Sequence, residues 1–183
     1  MDWLLNLDSN ILLFIQEYIR QDFLTPFVKF ITHLGDSGWF WIALSLLLLI
    51  PKKTRWVGLT ALLALLFGAL ITNVALKNLV ARTRPYEMIE GLRLLIEKQS
   101  DYSFPSGHTL ASFEAATVLM IRDKRIGIPA LILAVIIAFS RLYLYVHYPT
   151  DVLAGIILGV FIGFFACKSV DLLYKRFESN CKK

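Results

Sequence analysis

Apolar runs long enough to cross a lipid bilayer recur along this chain, and they constrain its fold more than any other feature. A helix needs about 20 apolar residues to cross the hydrocarbon core. Residues 55–80, 126–146 and 151–171 each supply such a run. We therefore predict an all-α, polytopic transmembrane helical bundle of about six helices.

Three further segments are less regular. Residues 38–50 are densely apolar but short, and residues 104–121 span if their helix begins near Ser106. Residues 22–34 are mixed and contain Pro26, which makes them the weakest candidate. We expect either six spans or five spans and one surface helix.

The N-terminal segment, residues 1–21, is predicted to form an amphipathic helix. At helical spacing one face gathers four apolar side chains, those of Ile11, Phe14, Ile15 and Tyr18. Helices of this kind lie in the membrane interface. The alternative is that residues 10–34 form one kinked span or a hairpin. No internal repeat or linker divides the chain, so residues 1–183 are expected to form a single domain.

The composition also favours a membrane environment. Hydrophobic residues make up 57% of the 183 residues and charged residues 18%, whereas a soluble domain carries about 25% charged residues. A chain this short has too little interior to bury the excess. The net charge of +5 comes from Lys and Arg that lie mostly between and after apolar runs. Because no basic stripe carries a recognition motif, we expect no nucleic-acid partner.

The basic residues predict the orientation in the membrane. Cytoplasmic connections are rich in Lys and Arg. Alternating connections hold three basic clusters, which are Lys52, Lys53 and Arg55, then Arg122, Lys124 and Arg125, and finally Lys175, Arg176, Lys182 and Lys183. These clusters are expected to face the cytoplasm. The opposite connections, residues 78–105 and 147–150, should then face outward.

Two cations lie at the outer end of the third span. Lys77 and Arg84 are seven residues apart, about two helical turns, so they project from one face for as long as the helix lasts. Lysine offers a mobile point charge and arginine a planar fork that grips phosphate oxygens. The alternative is that both side chains only reach for the membrane interface.

The fourth span opens with Ser106-Gly107-His108. Ser106 is suited to cap the helix, and Gly107 allows a close backbone approach. The free N–H groups of a helix start bind anions, and His108 would lie in the first turn, where it can donate a proton to a leaving oxygen. The alternative is a plain loop-to-helix junction with an interfacial histidine.

The fifth span ends with Arg141, followed by His147 and Asp151. A charged residue within a span is a functional-site candidate. Asp151 follows His147 by four residues, so its carboxylate can accept from one ring nitrogen and leave the other free to attack phosphorus. The alternative makes Asp151 only a favourable charge at a helix start.

All of these side chains map to the outward-facing side. Together they predict a phosphate cradle with an acid and a nucleophile, formed by Lys77, Arg84, Ser106, Gly107, His108, Arg141, His147 and Asp151. The third histidine, His33, lies near Gly35 and Asp36 and is given no role.

These motifs resemble a known signature. Lys77-(six residues)-Arg84-Pro85, then Pro105-Ser106-Gly107-His108, then Ser140-Arg141-(five residues)-His147-(three residues)-Asp151 is similar to the three-part signature of the type 2 phosphatidic acid phosphatase (PAP2) superfamily, which includes membrane lipid phosphatases and soluble vanadium haloperoxidases. The resemblance covers residues 77–151 and implies a phosphatase core of the PAP2/haloperoxidase type.

The resemblance also implies the residue roles. His147 would attack phosphorus and form a phosphohistidine, Asp151 would orient it, and His108 would protonate the leaving oxygen and then activate water. The phosphate oxygens would be held by Lys77, Arg84, Ser106, Gly107 and Arg141. No metal and no other cofactor is implied.

The expected function is therefore that of a multi-pass cell-membrane lipid phosphatase, a phosphoric monoester or diphosphate hydrolase with its site on the extracytoplasmic face. Undecaprenyl pyrophosphate is the favoured substrate, with phosphatidylglycerophosphate and phosphatidic acid as alternatives. A phosphotransferase on the same scaffold remains open, whereas a non-catalytic transporter or binding protein is disfavoured, because phosphate binding alone needs no nucleophile with an orienting carboxylate. A membrane lipid phosphate and the bilayer are the expected partners, without an obligate protein partner. The apolar composition disfavours a haloperoxidase, because those relatives are soluble.

Overall fold

The computed structural model describes residues 2–181, with side chains described from residue 3 to residue 175, and this part of the chain is helical without strands. It contains nine α-helices: α1 (Asp2–Phe14), α2 (Thr25–His33), α3 (Trp39–Leu49), α4 (Arg55–Ala69), α5 (Lys77–Val80), α6 (Pro85–Met88), α7 (Gly107–Arg122), α8 (Lys124–Tyr143) and α9 (Pro149–Cys181). The predicted all-α class is confirmed.

Three segments are long and apolar enough to cross a membrane, namely Arg55–Met88, Lys124–Tyr143 and Pro149–Lys175. They coincide with the three clearest predicted spans. The dense run at residues 38–50 corresponds to the shorter apolar helix Asp36–Leu49. The predicted span at residues 104–121 corresponds to α7, which begins directly after Ser106 as expected. The protein is thus a multi-pass membrane protein.

The least regular segment, residues 22–34, contains only the nine-residue helix α2. Pro26 lies in its first turn, where a missing N–H costs no hydrogen bond, so the proline starts this helix and does not interrupt a longer one. A helix of nine residues is too short to span the bilayer core.

The N-terminal helix packs against the bundle through a face that includes the buried carboxylate of Asp8. α1 continues into a π-helical turn at Ile15–Ile19. Its buried side chains are Asp8, Leu12 and Ile15, whereas Phe14 and Tyr18 point outward and contact each other with ring centroids 4.9 Å apart. The face follows Asp8 because this carboxylate has partners in the interior, which hydrophobic spacing alone does not reveal.

Helix α7 lies at the centre of the bundle, and a stripe of glycines on α9 lets it approach closely. A Cβ at Gly159 would lie 2.7 Å from the carbonyl oxygen of Leu110, and one at Gly163 would lie 2.7 Å from that of Glu114. Small residues at this spacing allow helix backbones to pack in contact within a membrane. The stripe fixes the start of α7 beside the start of α9, where Ser106 N–H donates to the Asp151 carbonyl over 3.2 Å.

The second basic cluster lies away from this junction. Arg122 ends α7 and Lys124 begins α8, so the second cluster lies at the opposite end of α7 from Ser106. Arg122 pairs there with Asp171 at 2.7 Å. In the last cluster, Lys182 and Lys183 lie outside the described residues.

Candidate active site

His147 lies in the short connection between α8 and α9 and is 2% exposed. The backbone turns sharply before it, because Tyr145 adopts a left-handed conformation with φ of 61°. Its Nδ1 lies 2.7 Å from the carbonyl oxygen of Ser103. A carbonyl can only accept, so Nδ1 carries the ring proton and Nε2 keeps its lone pair.

The predicted hydrogen bond between His147 and Asp151 is not formed in this structure. The Asp151 Oδ2 lies 3.7 Å from Nδ1, which is beyond hydrogen-bonding distance. His147 precedes α9 and is not part of a helical turn with Asp151, so the spacing of four residues does not bring the groups together as it would within a helix. The Ser103 carbonyl fixes the tautomer in its place.

Asp151 is fully buried and its carboxylate is saturated with donors. Oδ2 accepts from the Ser103 hydroxyl at 2.5 Å and from the Tyr148 N–H at 2.9 Å, and Oδ1 accepts from Arg82 at 2.6 Å. It therefore acts on His147 through Ser103, which binds both residues. Sequence reasoning missed Ser103 and Arg82, although Arg82 lies between the two motif cations.

Burial keeps His147 neutral. Removal of the ring from water lowers the pKa of His147 to about 3, and the positive charges of Arg141 and Arg84 act in the same direction against the neighbouring Asp151 carboxylate. Nε2 lies 3.5 Å from Nη1 of Arg84. The ring is thus a neutral imidazole whose Nε2 keeps a lone pair. This nitrogen lies next to the guanidinium of Arg84, a group well suited to bind phosphate.

His108 is held by a partner that the motifs did not indicate. Its Nε2 lies 2.7 Å from Oδ1 of Asp36, and Oδ2 of the same carboxylate lies 2.7 Å from Nδ1 of His33. A Cβ at Gly35 would lie 2.6 Å from the His108 ring, so the backbone passes directly against it. The sequence signal was the short His33-Leu34-Gly35-Asp36 segment, to which no role was given.

Arg141 is a buried cation with unused hydrogen-bonding capacity. It is 1% exposed, and its Nη1 donates to the Thr32 hydroxyl over 2.6 Å. Within the part of the chain whose side chains are described, its Nε has no hydrogen-bond partner. A buried guanidinium N–H that lacks a protein partner is expected to meet a ligand, and the geometry suits an anion.

Lys77 and Arg84 share a carboxylate. Lys77 begins α5 directly after a π-helical turn at Leu70–Leu76, a type of distortion frequent at functional sites. Lys77 pairs with Oδ2 of Asp101, and Arg84 reaches Oδ1 over 2.6 Å. Although burial alone would raise the pKa of Asp101, the bonds from Lys77 and the charge of Arg84 outweigh it and lower that pKa to about 2.

Ser106 caps α7 as predicted, with its hydroxyl accepting from the Thr109 N–H. A Cβ at Gly107 would lie 3.9 Å from Nζ of Lys77, so the ammonium group lies next to the helix start. The positive end of a 16-residue helix and a lysine therefore meet at one point.

A cavity of about 990 Å³ connects these groups with the apolar interior. Its polar end is lined by Lys77, Gly107, His108 and Arg141, and its walls continue along α3 and α4 through Ile42, Leu62, Leu65 and Leu66. A neighbouring cavity of about 470 Å³ is lined by Lys77, Arg84 and Asp101. Of the eight predicted residues, Ser106, His147 and Asp151 line neither cavity and lie behind this surface.

The described side chains, residues 3–175, contain no group of three or more histidine, cysteine, aspartate or glutamate residues placed to hold a metal ion. The site is instead dominated by cations, since Lys77, Arg84 and Arg141 surround its two histidines. Such an arrangement can bind a phosphoryl group, supply a neutral nitrogen nucleophile and supply a second imidazole for proton transfer.

Comparison with known proteins agrees with this chemistry. The family model described as the PAP2 superfamily matches residues 57–175. An undecaprenyl-diphosphatase from Sulfolobus acidocaldarius is 36% identical over 161 residues, which cover 87% of this chain and 77% of the relative. Phosphatidylglycerophosphatase B from Bacillus subtilis is 34% identical over 88% of this chain and 82% of its own.

Comparison of the fold with solved structures finds relatives of the same kind. The crystal structure of a transmembrane PAP2-type phosphatidylglycerolphosphate phosphatase from Bacillus subtilis superposes with a TM-score of 0.78 and 31% identity, covering 97% of this chain and 90% of that one. The resemblance therefore extends from the motifs to nearly the whole chain.

Proposed function

The chain belongs to the PAP2 superfamily, and from that membership we propose that it removes phosphate from a membrane lipid phosphate or diphosphate by way of a phosphohistidine on His147. The observation that carries the proposal is the pairing of a neutral, buried His147, whose Nδ1–H is held by a carbonyl, with Arg84 beside its free Nε2. A phosphoryl group bound by Arg84 in the 470 Å³ cavity would approach that nitrogen, which lies 3.5 Å from Nη1 of Arg84.

In the first step, Nε2 of His147 forms a bond to phosphorus while the bond between phosphorus and the lipid oxygen breaks. His108, which enters this step as the imidazolium with a proton on each nitrogen, gives one proton to that oxygen and becomes the neutral imidazole. Because Nε2 of His108 is held by Asp36, Nδ1 is the nitrogen left to transfer the proton. In the second step, His108 takes a proton from water, the water oxygen bonds to phosphorus, and the bond to His147 breaks to release inorganic phosphate.

The cations stabilise the charge that gathers on the phosphoryl oxygens in both steps. Arg141 contributes an Nε–H that has no partner among the described side chains, and Lys77 adds a point charge beside the start of α7. Gly107 presents a free helix N–H group at the cavity, while Ser106, whose own N–H is bonded to the Asp151 carbonyl, holds the start of α7 in place. Lys77 and Arg84 must exchange their bonds with Asp101 for bonds to phosphate, so we expect Asp101 to compete with the substrate.

We further propose that the site faces the extracytoplasmic side, because the basic cluster of Arg122, Lys124 and Arg125 lies at the other end of α7. The first proposed substrate is undecaprenyl pyrophosphate, in line with the Sulfolobus relative. Phosphatidylglycerophosphate is the second candidate, favoured by the Bacillus relative and its solved structure. The apolar walls of the 990 Å³ cavity suit the lipid portion of either molecule.

The deciding experiment is phosphate release in detergent from undecaprenyl pyrophosphate, phosphatidylglycerophosphate and phosphatidic acid, with wild-type protein and His147→Ala side by side. We expect wild-type release from at least one lipid and a loss of at least about 10³-fold in the variant, as for removal of a covalent nucleophile. Release at the parental rate by folded His147→Ala would disprove the assignment. Phosphate appearing on an added lipid alcohol in preference to water would identify a phosphotransferase.

A further inference from the structure

Asp8 of the N-terminal helix is a fully buried carboxylate that reaches the start of α9. Its Oδ2 accepts from Arg82 at 2.7 Å and from the Thr150 hydroxyl at 2.5 Å, and its Oδ1 accepts from the Thr150 N–H at 3.0 Å. A buried carboxylate is costly unless it is paired and hydrogen-bonded. Here both carboxylate oxygens accept hydrogen bonds. The donors are Thr150, which directly precedes Asp151, and Arg82, which contacts Asp151.

Arg82 joins this carboxylate to the catalytic segment. Its Nη2 bonds Asp8, while its Nη1 bonds Asp151 at 2.6 Å and the Thr150 hydroxyl at 2.7 Å. The guanidinium also lies 3.9 Å above the centre of the Tyr148 ring. The fork and the stacking fix its plane. With both terminal nitrogens bonded to carboxylates, Arg82 differs from Arg141, whose Nε lacks a partner among the described side chains.

Arg82 supports the tautomer of His147 in two ways, through its side chain and through its backbone. Through its side chain, Arg82 fixes Asp151, which accepts from the Ser103 hydroxyl at 2.5 Å. Through its backbone, the Arg82 carbonyl accepts from the Ser103 N–H at 2.9 Å. Both routes hold Ser103, whose own carbonyl accepts the Nδ1 proton of His147.

We propose that Asp8 and Arg82 form a positioning pair that keeps the Ser103 carbonyl and Asp151 in the arrangement that leaves Nε2 of His147 free to attack. The inference rests on the proposed phosphohistidine chemistry. It makes the N-terminal helix part of the active-site support, because loss of Asp8 leaves one arm of Arg82 without a carboxylate. Arg82 lines the 470 Å³ cavity beside Lys77 and Arg84, but both of its terminal nitrogens are bonded to Asp8 and Asp151, so its effect on the substrate passes through Asp151 and Ser103.

The test uses Arg82→Gln and Asp8→Asn. We expect kcat to fall about tenfold to a hundredfold while KM stays within about twofold, because the nucleophile is misplaced and the phosphate cradle is intact. The kcat of the double variant should fall no further than that of the worse single variant, since the two residues act as one unit. Independent, multiplicative losses, or a KM effect without a kcat effect, would overturn the pair.

The matched control is Arg122→Gln. Arg122 also binds an aspartate at 2.7 Å and is similarly half-buried, but it lies at the opposite end of α7. If Arg82→Gln and Arg122→Gln lower the melting temperature equally, only Arg82→Gln should lower kcat. Equal kcat in both would mean that Arg82 is merely structural.

A second readout is independent of turnover. In ¹⁵N spectra of histidine-labelled protein, with the His147 signal assigned by comparison with His147→Ala, the wild type should show the Nδ1-protonated tautomer. Arg82→Gln should give a mixture of tautomers, and Arg122→Gln should not. An unchanged tautomer in Arg82→Gln contradicts the positioning pair whatever the lipid assay gives, while a shifted tautomer in a protein without phosphatase activity would count against the proposed function alone.

Discussion

The carbonyl oxygen of Ser103 accepts the Nδ1 proton of His147 at 2.7 Å, so a backbone group holds the tautomer of the proposed nucleophile. A carbonyl cannot be protonated at ordinary pH, unlike a carboxylate partner. The ring therefore keeps its orientation over a wide pH range, and burial is the largest influence on its charge.

This burial predicts a pH-dependent stability. Because the folded state lowers the pKa of His147 from 6.5 to about 3, the unfolded chain binds a proton in that window and the folded chain does not. The free energy of unfolding should fall as pH drops below about 6.5, by roughly 2 kcal/mol between pH 7 and pH 5. The free energy of unfolding of His147→Gln should fall correspondingly less over the same pH range.

The measurement is unfolding in detergent at several pH values, with wild type and His147→Gln compared at each. Both proteins keep His33 and His108, so the difference isolates His147. Parallel stability curves for the two proteins would show that this ring is not held neutral.

The contact between Asp36 and His108 predicts a leaving-group effect. Asp36→Ala removes the carboxylate 2.7 Å from Nε2 of His108, so the ring loses its orientation and proton transfer weakens. Release from a lipid phosphate, whose alkoxide needs a proton, should fall about 10²-fold. Release from p-nitrophenyl phosphate, whose phenolate leaves unprotonated, should fall far less.

The control is His33→Ala, which removes the exposed partner of Asp36 and should change either rate only slightly. Equal losses on both substrates in Asp36→Ala would show that Asp36 supports phosphate binding and has no part in proton transfer.

How much of this site the sequence predicted depends on the kind of contact. The cations and histidines could be predicted, because their side chains carry the chemistry and the apolar runs assign them to one side. Ser103 could not, since it acts partly through a backbone carbonyl that any residue possesses. Asp8 and Asp36 lie 143 and 72 positions from Asp151 and His108, and only the packing of α1 and the turn before α3 brings them in. The same limit applies to the face of α1 that packs on the bundle, which includes the buried Asp8 as well as apolar residues.

The shared carboxylate of Asp101 predicts tighter anion binding when its charge is removed. Lys77 and Arg84 both pair with Asp101 in this structure, so phosphate must compete with a charge within the protein. Asp101→Asn should lower the inhibition constants of phosphate and vanadate severalfold, because it leaves both cations with weaker partners. Steady-state inhibition of lipid dephosphorylation measures this directly.

The matched control is Asp171→Asn, which removes a carboxylate paired with Arg122 at the opposite end of α7. It should leave both inhibition constants unchanged, because this pair lies outside both cavities. Weaker phosphate binding in Asp101→Asn would mean that Asp101 orders the two cations and does not compete for them.

The glycine stripe on α9 predicts where the bundle tolerates no added volume. A Cβ at Gly159 would lie 2.7 Å from the Leu110 carbonyl and 2.9 Å from Cβ of Phe113, so Gly159→Ala must push α9 away from α7. The cost should be about 1–3 kcal/mol of stability. Because the displacement also separates the helix starts that hold Ser106 and Asp151, activity should fall before the protein unfolds.

The comparison is Ile157→Ala, two residues away on the exposed face of α9, which should change neither the melting temperature in detergent nor the rate of phosphate release. Wild-type stability in Gly159→Ala would show that α7 and α9 do not pack through this stripe.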